Sequence, residues 1–263
     1  MNDSSQRRAN HREGEIVEVL RRAGGASRIA AIASTLDVSE ETVRRNIRRL
    51  SDDGVVEKLH GGARLLDADI ESGFWQRMDE NPGPKRRIAA CVAEMIGDGA
   101  SLFLDVGSTT AFIAEALRGH RRLLVVTNSV VVAHKLATRN DNRVFMAGGE
   151  LRAHDGGAFG ADALAFVNQF RVEYAILSAA AINAQNGFML YDLEEAEFSR
   201  TIMSRAAHRI IAADASKFGR SAPISVGNPG DVDVLVTDTA PPAPLTQAAR
   251  EWSVEVVLAG TTA

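Results

Sequence analysis

The sequence predicts two joined units: three helices with a two-stranded wing, then an α/β domain on a mostly parallel sheet covered on both faces. Three observations carry that prediction. An arginine-rich run, "TVRRNIRRL", lies along a helical apolar stripe near the amino terminus. A proline- and charge-rich stretch, "LDADIESGFWQRMDENPGPKRR", interrupts the pattern. Beyond it, apolar runs of strand length alternate with helical patterns. At 263 residues and 45% apolar composition, the chain can bury a substantial core and is long enough for one small and one large domain.

No apolar stretch reaches the roughly 18 to 20 residues of a membrane span, and "MNDSSQRRANHREGE" lacks the apolar segment of a signal peptide. A cytoplasmic location and no membrane partner are therefore expected. Cys91 is the single cysteine and lies in "IAACVAEMI", a pattern expected on a buried helical face. The net charge of −4 conceals an asymmetry: residues 1–65 hold 12 Lys/Arg against 10 Asp/Glu, the remainder 18 against 24. The basic excess is small, so its concentration in one helix matters more than its size.

In the first unit, Ile16, Val19 and Leu20 mark a first helix. A second begins after Ser27, with Ile29, Ile32 and Ala33 as its apolar face, and breaks at "LDV". A third is capped by Ser39 and carries Glu40 and Glu41 in its first turn, where the helix dipole favours carboxylates. Val43, Ile47 and Leu50 share one face of it, and Arg45, Arg48 and Arg49 point the other way. Gly54 ends the helix, and "VVEKLHGGARLL" reads as two short strands about a Gly61-Gly62 turn. An arginine run alone is more often a solvated face. Three helices and a wing in this order make a winged helix-turn-helix, in which such a face meets DNA.

Residues 66–87 are predicted to be a linker between a DNA-binding domain over 1–65 and an α/β domain over 88–263. Pro82, Gly83 and Pro84 are expected to break any continuous helix there, and Phe74 and Trp75 to dock on a domain or a neighbouring subunit.

Strand-like runs then appear at "SLFLDV", "LLVVTN", "RVFMAG", "YAILSA", "HRIIAAD", "VDVLVTD" and "VEVVLA". Helical patterns between several of them are "AFIAEAL", "VVVAHKLA", "ADALAFVNQF" and "EEAEFSRTIMSRAA". In such a sheet ligands bind at the carboxyl ends of the strands, and that is where polar turns fall: residues 105–110, 127–129, 148–152 and 214–217. "DVGSTT" has neither a Walker lysine nor a dinucleotide fingerprint, so ATP and NAD are disfavoured and no cofactor is expected. Helix amides with Ser108, Thr109 and Thr110 suit a phosphate. "TNS" reads in isolation as a helix cap, and Arg152 in "GGELR" is a fork-shaped cation suited to phosphate or carboxylate. No histidine pair has metal-ligand spacing, so no metal is expected, and His134 and His208 fall where packing or solvent is the plainer role.

The run "VSEETVRRNIRRLSDDGVVEKLHGGA" resembles the signature of the DeoR family of bacterial transcription regulators. "DGASLFLDVGSTT", "VVTNS", "AGGELR", "LEEAEFSR" and "ADASKFG" are similar, in order and spacing, to that family's carboxyl-terminal effector domain. "FWQRMDENPGPKRRIA", with Lys85, is similar to its connecting segment, so the resemblance spans nearly the whole chain. It implies a Rossmann-like domain similar to ribose-phosphate isomerases, sensing a phosphorylated sugar or related metabolite. It further implies a repressor of a carbohydrate-metabolism operon, with double-stranded operator DNA and a small-molecule effector as partners. A homo-oligomer, at least a dimer, is expected.

Carried over by the resemblance, Thr42 and Arg45 contact bases, and Arg44, Arg48 and Arg49 contact phosphates, with Ser39 at the helix start and His60 on the wing. Asp105, Gly107, Ser108, Thr109, Thr110, Thr127, Asn128, Gly149, Arg152, Asp192 and Lys217 are the implied effector contacts. Three departures stand out: Asn46 where the family has aspartate, "SAAAIN" at residues 178–183, and Ser199 at a usually basic position. A sugar-phosphate isomerase with an appended DNA-binding unit is the alternative, and an architectural protein whose second domain only oligomerises is a third reading. Isomerisation needs a base and a cation about the reacting carbon, and Ser199 and "SAAAIN" remove candidate partners for Asp105, Asp192 and Lys217. No catalytic residue is assigned; a sensor is expected.

Overall fold

The computed structural model describes residues 12–17, 19–20, 26–65 and 73–260, and the chain divides into two compact units, residues 1–73 and 74–263. In the first, helix α1 (residues 12–17 and 19–20) buries Ile16 and Leu20 completely. Strand β1 (Ala26–Arg28), helices α2 (Ile29–Leu36) and α3 (Glu40–Asp52), and strands β2 (Val56–Leu59) and β3 (Gly62–Leu65) follow. Ile32, Val43, Ile47, Leu50, Val56 and Ala63 complete this core, so the apolar stripe read on α3 is its inner face. Asp37 takes a left-handed conformation, φ 51°, to end α2 at the "LDV" break.

The wing is a three-stranded antiparallel sheet in the order β1-β3-β2. The sequence places its turn at Gly61-Gly62, but Leu59 pairs with Gly62, so the turn is His60 and Gly61, the latter at φ +79°. Gly62 has a different reason to be glycine. A Cβ there would fall 2.6 Å from the Ser27 carbonyl oxygen, so only glycine lets β1 pair so closely with β3.

The second unit begins earlier than the sequence suggests. Of residues 74–87, expected as linker, all but Glu80 and Asn81 lie in helices α4 (Phe74–Asp79) and α5 (Pro82–Met95), while residues 66–72 lie outside the described residues. Pro82 and Pro84 fall in the first turn of α5, where a missing amide breaks no helical hydrogen bond; these prolines start a helix. Phe74 is buried and meets Trp75 edge-on, whereas Trp75 is 64% exposed. Cys91 is half-buried on α5, not fully in the core.

The chain continues through β4 (Ser101–Leu104), α6 (Ser108–Ala116), β5 (Leu124–Thr127), α7 (Val130–Leu136), β6 (Arg143–Met146), α8 (Gly160–Val167) and β7 (Val172–Leu177). After these come β8 (Ala181–Asn183), β9 (Gly187–Leu190), α9 (Leu193–Ser204), β10 (Ala206–Ala212), β11 (Ile224–Ser225), β12 (Val234–Thr237), α10 (Ala243–Glu251) and β13 (Glu255–Leu258). Seven strands form one parallel sheet in the order β13-β12-β10-β7-β4-β5-β6. Both faces are buried. Leu102, Leu104, Val125 and Ile176 face one cluster with Ile88, Val92 and Ile113; Phe103, Val126 and Leu177 face another with Phe198 and Ile202. No helix among the described residues is long and apolar enough to cross a membrane.

The chain runs outward from β4 to β5 and β6, then returns to place β7 on the other side of β4. The carboxyl ends of β4 and β7 therefore flank a topological switch point, where open parallel sheets form ligand crevices.

Candidate functional site

On α3 the Ser39 hydroxyl accepts the Thr42 amide at 3.3 Å and lies 2.9 Å from the Thr42 hydroxyl. Asn46 is buried, and its amide donates to the Thr42 carbonyl at 2.8 Å. An aspartate at 46 would have no hydrogen to give that carbonyl while ionised. Arg44, Arg45, Arg48 and Arg49 are all exposed, yet they are not alike. Arg44 pairs with Glu40 at 2.5 Å and with Glu41 at 3.9 Å, and Arg49 approaches Glu13 at 3.8 Å. Arg45 and Arg48 make no ion pair with a described residue. His60 is exposed at the wing tip beside Lys58 and Leu59.

At the switch point, Asp105 follows β4 and is buried. One carboxylate oxygen, Oδ2, accepts the Ser178 amide at 3.0 Å; the other, Oδ1, is buried and has no hydrogen-bond partner. Burial pushes its pKa up to about 8, against the opposing effect of the Ser178 amide, with Glu195 raising it further and Arg77 lowering it. The Thr110 hydroxyl is shared between the carbonyls of Asp105 and Gly107, 3.0 Å from each, which fixes the turn into α6. Gly107 is extended, so its backbone alone does not require glycine; the neighbouring Ser178 does. A Cβ on Gly107 would lie 2.3 Å from the Ser178 hydroxyl. Glycine offers no capping oxygen, so the first-turn amides of α6, which carry Ser108, Thr109 and Thr110, have no side-chain cap.

Thr127, Asn128 and Ser129 follow β5 and are buried. The Thr127 hydroxyl accepts the Ser129 amide at 3.0 Å, and Ser129 caps α7. The Asn128 amide donates to the Ala158 carbonyl at 3.2 Å, leaving its own Oδ1 buried without a partner. Asp105, Asn128, Ser178, Glu195 and Ser199 supply the polar lining of a cavity walled by Phe159 and Phe198. Its volume is about 10 Å³, room for about one water molecule.

Arg152 is not the open anion clamp that "GGELR" suggests. It pairs with Asp155 at 2.5 Å, with Asp192 at 3.4 Å and with Glu195, and lies 4.1 Å above the Phe159 ring. Asp192 also caps α9 through the Glu195 amide at 3.0 Å. Gly149, at φ +122°, is exposed in the loop leading to Arg152 and does not line the cavity. Lys217 follows β10 in a short turn capped by Asp214, away from the cavity lining. Its charge is felt by Lys85, which is buried and donates to the Arg77 and Glu80 carbonyls, the latter at 2.9 Å. Burial brings the Lys85 ammonium down to about 8, Asp214 opposing and Lys217 adding to the fall. Asn81 ties this group together by donating to Asp214 at 3.2 Å. Sequence reading missed Asp155, Glu195 and Phe159 around Arg152. Only "LEEAEFSR" carried a signal, as an acidic helix start.

Comparison with known proteins agrees with both halves. A family model described as a DeoR-like helix-turn-helix domain matches residues 12–69, and one described as the DeoR C terminal sensor domain matches residues 80–239. The chain is similar to the HTH-type transcriptional repressor CsqR of Escherichia coli, with 37% identity over 89% of this chain and 90% of that protein. It is also similar to the glycerol-3-phosphate regulon repressor of the same organism, 34% identical over 94% of this chain and 98% of that one. Among solved structures, ribose 5 phosphate isomerase A from Neisseria gonorrhoeae superimposes with a TM-score of 0.38 at 18% identity, over 52% of this chain. The matched region spans about half of that enzyme, 53% of its chain.

Proposed function

This chain belongs to the DeoR family of helix-turn-helix transcription regulators, and from that premise we propose that it is a repressor released from operator DNA by a phosphorylated sugar or related metabolite. The single observation that carries the DNA half is the outer face of α3, where Arg45 and Arg48 stand exposed and outside any ion pair with a described residue. Arg45 lies nearer the helix start and is assigned to base edges, with Thr42; Arg48 is assigned to phosphate. Arg44 and Arg49 can exchange their carboxylate partners for backbone phosphates, and His60 approaches the backbone from the wing. Relatives named as repressors, one of a glycerol-3-phosphate regulon, support the mode and the effector class.

The effector is assigned to the carboxyl ends of β4, β5 and β7, with a phosphate on the uncapped amides of α6 and the Ser108 and Thr109 side chains. An enzyme is not the reading favoured: Arg152 is compensated by three carboxylates, which leaves it poorly placed to stabilise an enediolate. A protein acting on operator DNA in this way works in the cytoplasm, as at least a dimer reading paired half-sites. The experiment is operator binding by the full chain, titrated with sugar phosphates and polyol phosphates, alongside assays for their turnover. Release without turnover is expected; turnover at an enzymatic rate would establish the isomerase alternative.

A further inference from the structure

Helix α4 is 6 residues long, too short to persist by itself, so its neighbours must hold it. Phe74 anchors its start by burial. Carbonyls at a helix end lack helical partners, and here the buried Lys85 of α5 supplies a donor, reaching the Arg77 carbonyl and, at 2.9 Å, that of Glu80 just beyond. Two further contacts tie this joint to the 214–217 turn at the carboxyl end of β10. Asn81, at φ 50° between the two helices, donates to Oδ1 of the buried Asp214 at 3.2 Å, and that oxygen also accepts the Ser216 amide at 3.0 Å. Arg87 on α5 pairs with Asp238 at 3.5 Å, whose other carboxylate oxygen accepts the Ala215 amide at 2.8 Å. A shift of the turn is therefore felt at the joint. The joint also lies at a boundary: α4 is the first element of the second unit, reached directly from the chain that leaves the DNA-binding unit.

We propose that Lys85, Asn81 and Asp214 form a latch through which the α/β domain sets operator affinity. Closed, it fixes α4, and with it the point from which each DNA-binding unit hangs. When the 214–217 turn moves, Asn81 loses Asp214, the joint slackens and α4 is released, so that paired winged units lose the fixed spacing that half-sites demand. The inference rests on the sensor reading above and names the element that carries its signal. Energetic coupling needs an element with two arrangements that both sites bias, and a short helix held by a donor from its neighbour is such an element. Coupling is reciprocal: if the closed latch favours DNA, operator DNA tightens the latch.

The test is amide hydrogen exchange of the full chain, free and bound to a DNA duplex that wild type selects from a random pool. In wild type, DNA is expected to slow exchange about fivefold or more in residues 74–81 and 214–219, none of which belongs to the DNA-binding unit. In Asn81→Ala the slowing at 214–219 is lost while that in α3 remains, and affinity for the same duplex falls about fivefold or more. Lys85→Met should speed exchange of α4 in the free protein and weaken DNA binding likewise, while the strands of the parallel sheet exchange as in wild type. A general loss of stability would speed the strands as well. Exchange at 74–81 and 214–219 that ignores DNA in wild type would overturn the latch, whether or not either variant folds. So would equal slowing at 214–219 in wild type and Asn81→Ala. The sensor reading stands or falls separately, on release of the bound duplex from wild type by sugar phosphates.

Discussion

Asp105 sits where it opposes its own protein's stability. A carboxyl group buried with one bare oxygen disfavours the ionised form, which is why its pKa rises from 3.8 to about 8. The folded chain then holds that proton more tightly than the unfolded one. Its contribution to stability is fully present below about pH 4, declines as pH rises through 8 and is level beyond. Asp105→Asn, which keeps the shape and cannot ionise, is expected to be more stable than wild type, by an amount that widens between pH 4 and 8. Denaturant unfolding across that range checks the sign, and a variant less stable at pH 8 would show that Asp105 has a structural role. Gly107 makes a steric claim at the same scale. Gly107→Ala should destabilise by about 1 to 3 kcal/mol, because its methyl meets Ser178, and Ser178→Gly should restore most of the loss. Additive losses in the double variant, measured by thermal unfolding, would refute that explanation.

The recognition helix shows what an element adds to its residues. Arg45→Ala is expected to relax sequence choice at one operator position, costing roughly 1 to 3 kcal/mol there, and Arg48→Ala to weaken all DNA alike and reduce the salt slope by about 1. Arg44→Ala should matter less than Arg48→Ala, since Arg44 must first leave Glu40 and Glu41. Binding isotherms at several salt concentrations on operator and scrambled duplexes would distinguish these; wild-type behaviour in both Arg45→Ala and Arg48→Ala would remove α3 from the interface. Elements with a strong local period were the legible ones. All seven strands of the parallel sheet stand out as apolar runs because both their faces are buried. The antiparallel β8-β9-β11 sheet does not, since "SAAAIN" is mostly small residues and β11 is only 2 residues long. Helix α10 is obscured by prolines that in fact lie at its start. The turns about the site were legible as polar strand ends, but the condition of Arg152 was not: Glu195 is 43 residues away, and only the fold brings that carboxylate to it.

At the scale of the whole molecule, a small winged unit gains affinity by pairing, so the full chain should be at least a dimer, assembled through residues 66–263. Light scattering at micromolar concentration checks this, and a monomer both with and without DNA would remove it. We propose that a ligand bound at the sheet switch point lowers this chain's affinity for operator DNA. Such coupling requires a ligand that binds the DNA-bound and released states unequally. The most direct measurement is fluorescence anisotropy of labelled operator DNA with full-length wild type and Asp105→Asn, each titrated with sugar phosphates and polyol phosphates. Release of wild type is expected, with the midpoint for Asp105→Asn shifted about tenfold or more to higher ligand concentration. Equal midpoints for the two proteins, or no release of wild type at saturating ligand, would contradict it.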